Sequence, residues 1–301
     1  MLRSGSVGAI LICAMKTLVH IQDEEPSTHA AGEKEQSLFG RLGKLPSLIV
    51  ALSGGADSAY LAWAAHHVLG ERALSVTALS ASYSAHDREQ LEKLLQTTGL
   101  RHEFIETHEL ENPAYRANAS DRCYYCKDEL FSALDRIAAD RRFTAVAYGI
   151  NADDTTDFRP GHRAAHEHHI LTPLLEAQLR KSEIRVLSRR AGLPCWDRPA
   201  SACLSSRLPY GTEVTAERLS LVERGEAALR ELGFRQFRVR LHDHLARIEL
   251  APDELPRALS PDMAAAIASA LKAAGFTYVA LDLEGYRQGS LNETLAKSPG
   301  T

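Results

Sequence analysis

Short apolar runs and helical patterns alternate through the first half of the chain. Four of the runs are typical of buried strands, namely Leu48–Leu52, Ala73–Ala81, Glu103–Glu106 and Thr144–Ile150. The stretches between them have apolar residues at helical spacing, which predicts helices over Asp57–Leu69, His86–Thr98 and Asp121–Arg141. Gly99 directly follows the second of these and is expected to end it. This alternation predicts an α/β fold in which helices cover both faces of a parallel sheet.

The second half of the chain follows a different pattern. Residues 151–211 contain few strand signals and one predicted helix, Ser182–Ala191, which Ser182 would cap. From residue 212 the predicted order is helix, strand, strand, helix, strand, at Ala216–Leu232, Gln236–Leu241, Ala246–Leu250, Pro261–Ala274 and Tyr278–Leu283. We therefore predict a polar, poorly ordered leader at 1–35, an α/β domain at 36–211 and a smaller α+β domain at 212–301.

Composition and charge narrow the classes of function. The chain has 301 residues and a formal net charge of -4, so it lacks the general positive charge on which nucleic-acid binding depends. Its most apolar early stretch, Val7–Cys13, is far too short to span a bilayer. Five cysteines, an odd number without a secretory context, are not typical of a disulfide framework. We expect a cytoplasmic protein that binds neither membranes nor nucleic acid.

A glycine-containing loop, SGGADS at residues 53–58, joins the first predicted strand to its helix. Its two glycines allow a tight turn that directs backbone N–H groups toward an anion, and the helix start adds its positive dipole end. The serines can donate hydroxyl hydrogen bonds, and Asp57 can hold Mg²⁺ against the phosphates. A turn that Asp57 merely caps is the structural alternative. The loop predicts phosphate binding by Ser53, Gly54, Gly55, Asp57 and Ser58.

Three cysteines form the second candidate site. Cys123 and Cys126 share one face at the start of a predicted helix, where the dipole, Arg122 and Lys127 are expected to favour thiolates. Cys203 lies in a loop between the two predicted domains. Three thiolates suit a [4Fe–4S] cluster in which one iron lacks a protein ligand.

Two alternatives remain open for these cysteines. A structural zinc ion could use His162 or His166 as its fourth ligand. The three thiols could also be buried separately and have no common role. We interpret Cys13 and Cys195 as structural or incidental.

Several longer motifs accompany these sites. The loop at 53–58 matches the SGGxDS signature of the ATP pyrophosphatase, or PP-loop, family. Further motifs are RCYYCK at 122–127, NADDTTDFRPG at 151–161, RPASACLSSRLPYGT at 198–212, FRVRLHDHLARIEL at 237–250 and ALDLEGYRQGS at 280–290. From about Leu48 to Asn292 the chain resembles the LarE-type sulfur transferases of nickel-pincer nucleotide biosynthesis, which use ATP.

The resemblance implies an enzyme that cleaves ATP to AMP and pyrophosphate, with Asp57 and Mg²⁺ at the phosphates. It would adenylate the carboxylates of a pyridinium-3,5-biscarboxylic acid mononucleotide. Sulfur would then displace AMP, giving thiocarboxylates for the nickel cofactor of lactate racemase-type enzymes. Some members sacrifice one cysteine, here Cys203, whereas members with three cysteines hold an iron–sulfur cluster. Cys123 and Cys126 favour the cluster-dependent type, with Cys203 as the third ligand, and we expect a homo-oligomer.

Such a substrate requires cationic side chains, and arginine suits carboxylate and phosphate groups best. Arg238 and Arg240 alternate along one predicted strand, so both can point at one anion. Together with Arg207 they are the candidate substrate-binding residues, and a purely structural role is the alternative for each. Weaker candidates for Mg²⁺, substrate or subunit contacts are Asp153, Asp154, Asp157, Arg159 and Glu226.

Two other functions fit parts of the pattern. A cluster-dependent tRNA thiolase of the PP-loop superfamily also combines a C-x-x-C pair with a third cysteine, but the acidic balance and the lack of an evident RNA-binding module argue against it. A non-catalytic regulator that binds a nucleotide and a metal would retain ATP without forming pyrophosphate.

Overall fold

A computed structural model describes residues 28–156, 160–199, 202–287 and 289–293. Its first sheet is entirely parallel and has the strand order β3-β2-β1-β4. The strands span Leu48–Ala51 (β1), Ala73–Leu79 (β2), His102–Glu106 (β3) and Val146–Tyr148 (β4). β1 pairs with a strand on each side, so its backbone lies inside the sheet and all four of its residues are buried. The predicted parallel α/β sheet is confirmed.

Helices cover both faces of this sheet. Successive residues of β1 point to opposite faces, so the apolar residues of this strand need a covering layer on each side. Leu48 and Val50 belong to a core closed by α1, α2, α3 and α8, and Ile49 and Ala51 belong to a second core closed by α5 and α6. The helices of this half span Thr28–Leu42 (α1), Ala56–Leu69 (α2), Ala85–Thr98 (α3), Pro113–Arg116 (α4), Arg122–Arg141 (α5), Pro160–Glu167 (α6), Pro173–Glu176 (α7) and Lys181–Arg190 (α8).

Two boundaries of these helices differ from the sequence prediction. α1 includes residues 28–35, which were predicted to belong to a poorly ordered leader, and it packs into the core through Ala31, Leu38 and Leu42. Ser182 does not cap α8, because the helix begins one residue earlier and the Glu183 carboxylate accepts a hydrogen bond from the backbone N–H of Arg180 at 2.8 Å. Residues 1–27 of the predicted leader lie outside the described residues.

Gly99 ends α3 as predicted. Its backbone is left-handed, with φ 62°, and its N–H donates to the carbonyl of Leu95 at 2.9 Å. A residue with a side chain adopts this conformation at a cost that glycine avoids.

The second sheet has three strands in the order β5-β6-β7. β5 pairs antiparallel with β6, and β6 pairs parallel with β7. The elements follow the predicted order, with strands at Phe237–His242 (β5), Leu245–Leu250 (β6) and Tyr278–Leu281 (β7) and helices at Ala216–Glu231 (α9), Leu255–Ala258 (α10) and Pro261–Ala274 (α11).

The core of the second sheet extends beyond the predicted α+β domain. Leu204 and Leu208, which precede residue 212, pack in this core together with Tyr115. The segment after Cys203 is therefore anchored to the second sheet, while the domain boundary at residue 211 stays a prediction. Across the ranges that the structure describes, no helix is both long enough and apolar enough to cross a membrane.

Candidate active site

The phosphate loop lies between β1 and α2, at the carboxyl edge of the parallel sheet. Gly54 has a left-handed backbone with φ 81°. The Ser58 hydroxyl lies 3.1 Å from the Gly55 carbonyl, to which it donates, and 3.0 Å from the Ser53 hydroxyl. No side chain caps the start of α2, whereas Ser84 caps α3. The start of α2 can therefore offer its backbone N–H groups to a phosphate.

The neighbouring strand β4 fixes the position of this loop through Gly149. A Cβ atom at residue 149 would lie 2.7 Å from the backbone N of Ser58 and 3.0 Å from the carbonyl carbon of Asp57. Non-bonded atoms do not pack this closely, so only glycine fits at this point. The end of β4 is therefore in direct contact with the first turn of α2.

Asp57 is the most constrained charged residue of the loop. Its Oδ2 accepts hydrogen bonds from Lys181 Nζ at 2.6 Å and from the Asn151 amide at 3.3 Å. Its Oδ1 is buried and has no hydrogen-bond partner among the described residues. Burial raises the pKa of Asp57, and the charge and hydrogen bond of Lys181 offset part of that rise. The carboxylate thus has one oxygen held by a lysine and one oxygen available to a further ligand.

Lys181 is a site residue that the sequence reasoning missed. It begins α8, 124 residues after Asp57, and no local motif marks it. Its own backbone N–H donates to the Asp153 carboxylate at 2.8 Å. A lysine at a helix start is unusual, because the positive dipole end disfavours a cation there, and this is the one signal that could have drawn attention to it.

The acidic loop after β4 holds the Asn151 side chain that donates a hydrogen bond to Asp57. The Asp154 carboxylate accepts from the backbone N–H of Asn151 at 3.1 Å, and the Asn151 side-chain oxygen accepts from the N–H of Asp153 at 2.8 Å. These contacts orient the Asn151 amide toward Asp57. Among the weaker candidates, Asp153 and Asp154 thus take part in the turn, and Asp157 and Arg159 lie outside the described residues.

Two consecutive residues connect the phosphate loop to the segment that carries Cys203. The Tyr83 hydroxyl donates to the carbonyl of Ser53 at 3.3 Å. The carbonyl of Ser82 accepts from the backbone N–H of Leu204 at 3.0 Å. Both predicted sites therefore lie at the same edge of the parallel sheet, beside the loop that joins β2 to α3.

Three buried arginines hold the turn around Cys203. Arg122 donates to the carbonyl of Ser205 at 2.9 Å, and Arg240 donates to the carbonyl of Ser206 at 2.5 Å. Arg207 donates to the carbonyl of Ala202 at 2.8 Å. Because Arg122 begins α5, the Cys203 turn is attached directly to the helix that carries the other two cysteines.

The three candidate cysteines consequently lie near one another, namely Cys123, Cys126 and Cys203. Cys203 is an electrostatic neighbour of both other thiols and of Arg122. Cys123 and Cys203 are exposed and Cys126 is partly buried. Within the described ranges, no three side chains from histidine, cysteine, aspartate and glutamate are gathered into a set that could hold one metal ion.

Burial acts against the predicted thiolate state of the two cysteines on α5. Burial and then the Glu109 carboxylate raise the pKa of Cys126. Cys123 is exposed as a residue, but protein atoms surround its thiol and remove it from water. This desolvation, and then the nearby Cys203, raise the pKa of Cys123 as well. The opposing effects of Arg122 and Lys127 are smaller than the cost of removing the thiolates from water.

The two strand arginines do point at one anion, which is a carboxylate of the protein itself. Arg240 makes two hydrogen bonds to Glu249, at 3.0 and 3.1 Å, and Arg238 lies 4.0 Å from the same carboxylate. Arg207 is bound in the same way to Glu226, at 2.7 Å. Glu226 is therefore buried rather than on a solvated helix face. Arg207 and Arg240 are each paired with a buried protein carboxylate, and the substrate-binding role predicted for them stays a prediction.

Arg238 and Arg207 also line an open cleft between the two sheets. The cleft has a volume of ≈ 690 Å³, counting its solvent-open part. Five arginines and only two carboxylates line it, which gives it an excess of positive charge suited to an anionic ligand. The arginines are Arg198, Arg207, Arg230, Arg235 and Arg238, and the carboxylates belong to Asp87 and Glu226.

The sheet is parallel, and the glycine loop after β1 leads into a helix whose start has no side-chain cap and whose first turn contains an aspartate. These features define a protein of the PP-loop class. No family model matches the chain. An uncharacterized protein of Synechocystis sp., slr1717, is 43% identical over 264 residues, which cover 88% of this chain and 98% of that protein. Pyridinium-3,5-bisthiocarboxylic acid mononucleotide synthase of Lactiplantibacillus plantarum is 36% identical over 271 residues, covering 88% of this chain and 96% of that enzyme. The chain belongs to the family of that synthase, the LarE family.

Proposed function

We propose that this protein is an ATP-dependent sulfur transferase. Its substrate would be a pyridinium-3,5-biscarboxylic acid mononucleotide, whose carboxylates it converts to thiocarboxylates. The proposal is supported by membership of the LarE family, one of whose members is named for the bisthiocarboxylic acid product. The observation that carries it is that Ser82 contacts the Cys203 turn and Tyr83 contacts the phosphate loop. Activation and sulfur transfer must act on the same carboxyl group, so the two sites have to be neighbours.

Adenylation solves the main chemical difficulty of this reaction. A carboxylate is negatively charged and has no leaving group, so a sulfur nucleophile does not attack it. Its oxygen attacks the α-phosphorus of ATP, pyrophosphate leaves, and the resulting acyl-adenylate is attacked by sulfur with loss of AMP. The N–H groups at the start of α2 would bind the pyrophosphate portion of ATP, and the free Oδ1 of Asp57 would bind Mg²⁺.

The arginine-lined cleft would hold the anionic groups of the mononucleotide. Arg238 and Arg198 are suited to this, since both line the cleft and guanidinium groups bind carboxylate and phosphate in a bidentate manner. Arg198 also donates to the carbonyl of Gly54 at 3.2 Å, so a ligand on Arg198 would lie beside the phosphate loop.

We propose that Cys123, Cys126 and Cys203 hold a [4Fe–4S] cluster. The proposal is supported by the Arg122 hydrogen bond that joins the Cys203 turn to the helix carrying Cys123 and Cys126. In such a cluster each cysteine binds its own iron. When bound, the cluster would supply an iron without a cysteine ligand, at which a sulfur species can be held.

The adenylation half of the proposal is tested with Asp57→Asn. Wild-type protein should release pyrophosphate from ATP when the pyridinium mononucleotide is added, and tRNA should not replace it. Asp57→Asn should lower this rate by about 100-fold or more, the range seen when one electrostatic group of an active site is lost. The exposed Asp140→Asn is the matched control. Release that depends on tRNA, or an unaffected Asp57→Asn, would contradict the proposal.

The sulfur-transfer half is tested by mass spectrometry of the protein after turnover. An intact chain together with thiolated product supports the cluster route. Loss of hydrogen sulfide from Cys203 supports the sacrificial route instead. Anaerobically purified protein should contain about four irons per chain, and a colourless protein with one zinc ion would contradict the cluster.

A further inference from the structure

A buried carboxylate lies beside the three cysteines and has no cation partner among the described residues. Glu109, in the short helical turn Glu109–Glu111, is 4% exposed. Its Oε1 lies 3.4 Å from the Ser82 hydroxyl and 4.0 Å from the Cys126 sulfur. Its Oε2 is buried and has no hydrogen-bond partner among the described residues.

The other buried glutamates show how unusual this is. In the described part of the chain, four further glutamates are less than a tenth exposed, and each is paired with a cation. The pairs are Lys34–Glu183, Arg190–Glu35, Arg207–Glu226 and Arg240–Glu249. Glu109 has no ion pair in the same ranges. A buried carboxylate without a cation or a full set of donors is costly, so this one is expected to meet a positively charged partner.

The surroundings of Glu109 indicate where that partner sits. Ser82, which donates to Glu109, also accepts the backbone N–H of Leu204, the residue after Cys203. Cys126 approaches the carboxylate from α5. Glu109 therefore lies between the helix that carries two of the cysteines and the turn that carries the third. Its Oε2 is left without a hydrogen-bond partner among the described residues.

We propose that Glu109 is the oxygen ligand of the three-cysteine site and binds the iron that has no cysteine. The inference rests on the proposed function, because it assumes the cluster. A carboxylate oxygen is a weaker ligand for such an iron than a thiolate, so it holds the metal while leaving that position exchangeable.

The test compares Glu109→Gln with Glu111→Gln after anaerobic reconstitution. Glu111 lies in the same short turn but is exposed, so it is a matched control. The wild type and the control should retain about four irons per chain when challenged with an iron chelator. Glu109→Gln should lose one iron about tenfold faster or more, giving a three-iron form that electron paramagnetic resonance detects.

A second measurement separates a ligand from a structural residue. In the iron-free protein, Glu109→Gln should be at least as stable to urea as the wild type, since a neutral amide removes an unpaired buried charge. A destabilised iron-free variant, or iron loss at the wild-type rate, would overturn the role of Glu109 alone. A wild type that binds no iron would overturn the cluster, and the role of Glu109 with it.

Discussion

Gly149→Ala is the substitution that most directly tests how the fold builds the phosphate loop. The added Cβ would lie 2.7 Å from the backbone N and 2.8 Å from the Cα of Ser58, whereas ordinary contacts begin at 3.4 Å. The end of β4 and the start of α2 would therefore have to separate by about 0.7 Å. Both groups are backbone, so no side chain can rotate away to relieve the contact.

The expected cost has two parts. Overpacking of this kind destabilises a protein by about 1–3 kcal/mol. The same shift moves the N–H groups at the start of α2, and displacements near 1 Å lower activity by roughly 100-fold. We therefore expect ATP affinity and pyrophosphate release to fall by about tenfold to 100-fold in Gly149→Ala.

The assays are urea denaturation without ligand, calorimetric titration with Mg²⁺-ATP and a pyrophosphate assay. Gly40→Ala is the control, because it lies inside α1 and a Cβ added there would meet no atom within 4 Å. Alanine should stabilise that helix by about 0.5–1 kcal/mol, the opposite sign. If Gly149→Ala binds ATP as tightly as the wild type, the contact between β4 and α2 does not position the loop.

Three further predictions concern charged groups. Lys181→Met should lower pyrophosphate release by about tenfold to 100-fold, since it removes a charge-assisted hydrogen bond from Asp57. Lys181→Arg should recover part of the rate. A wild-type rate of pyrophosphate release in Lys181→Met would exclude a role for the lysine. Arg240→Met should destabilise the protein by about 3 kcal/mol in urea, because it leaves Glu249 buried with fewer partners, and adding Glu249→Leu should restore most of the loss. Burial lowers the pKa of His168, but hydrogen bonds to two aspartates outweigh this and raise it. Its stabilising contribution should therefore be complete below about pH 6.5 and disappear as pH rises through the raised pKa, so the free energy of unfolding should lose this pH dependence in His168→Gln.

The arginines illustrate how a correct local inference led to a different partner. Alternation along a strand placed Arg238 and Arg240 on one face, and they do lie there. The anion in front of them is Glu249 on the adjacent strand, which the register of β5 with β6 places opposite Arg238. A substrate carboxylate and a protein carboxylate attract a guanidinium equally, so the residue type alone could not distinguish them.

The sequence by itself determined the elements and the local sites. Hydrophobic spacing predicted β1 to β4 close to their observed positions. Gly99 marked the end of α3, and the glycine loop and the C-x-x-C pair were identified by their own residues. These features depend on neighbours in the chain, so a short segment contains the information. α1 contains few apolar residues, so its sequence shows no clear helical pattern and the helix was not predicted.

Only the tertiary structure decided which distant groups meet. Lys181 reaches Asp57 across 124 positions, and Gly149 touches Ser58 because β1 and β4 are adjacent in the sheet. Glu109 became notable only when its burial and its lack of a cation were visible. Contacts of this kind follow from how strands pair and helices pack, and they are not encoded in any local spacing of residues.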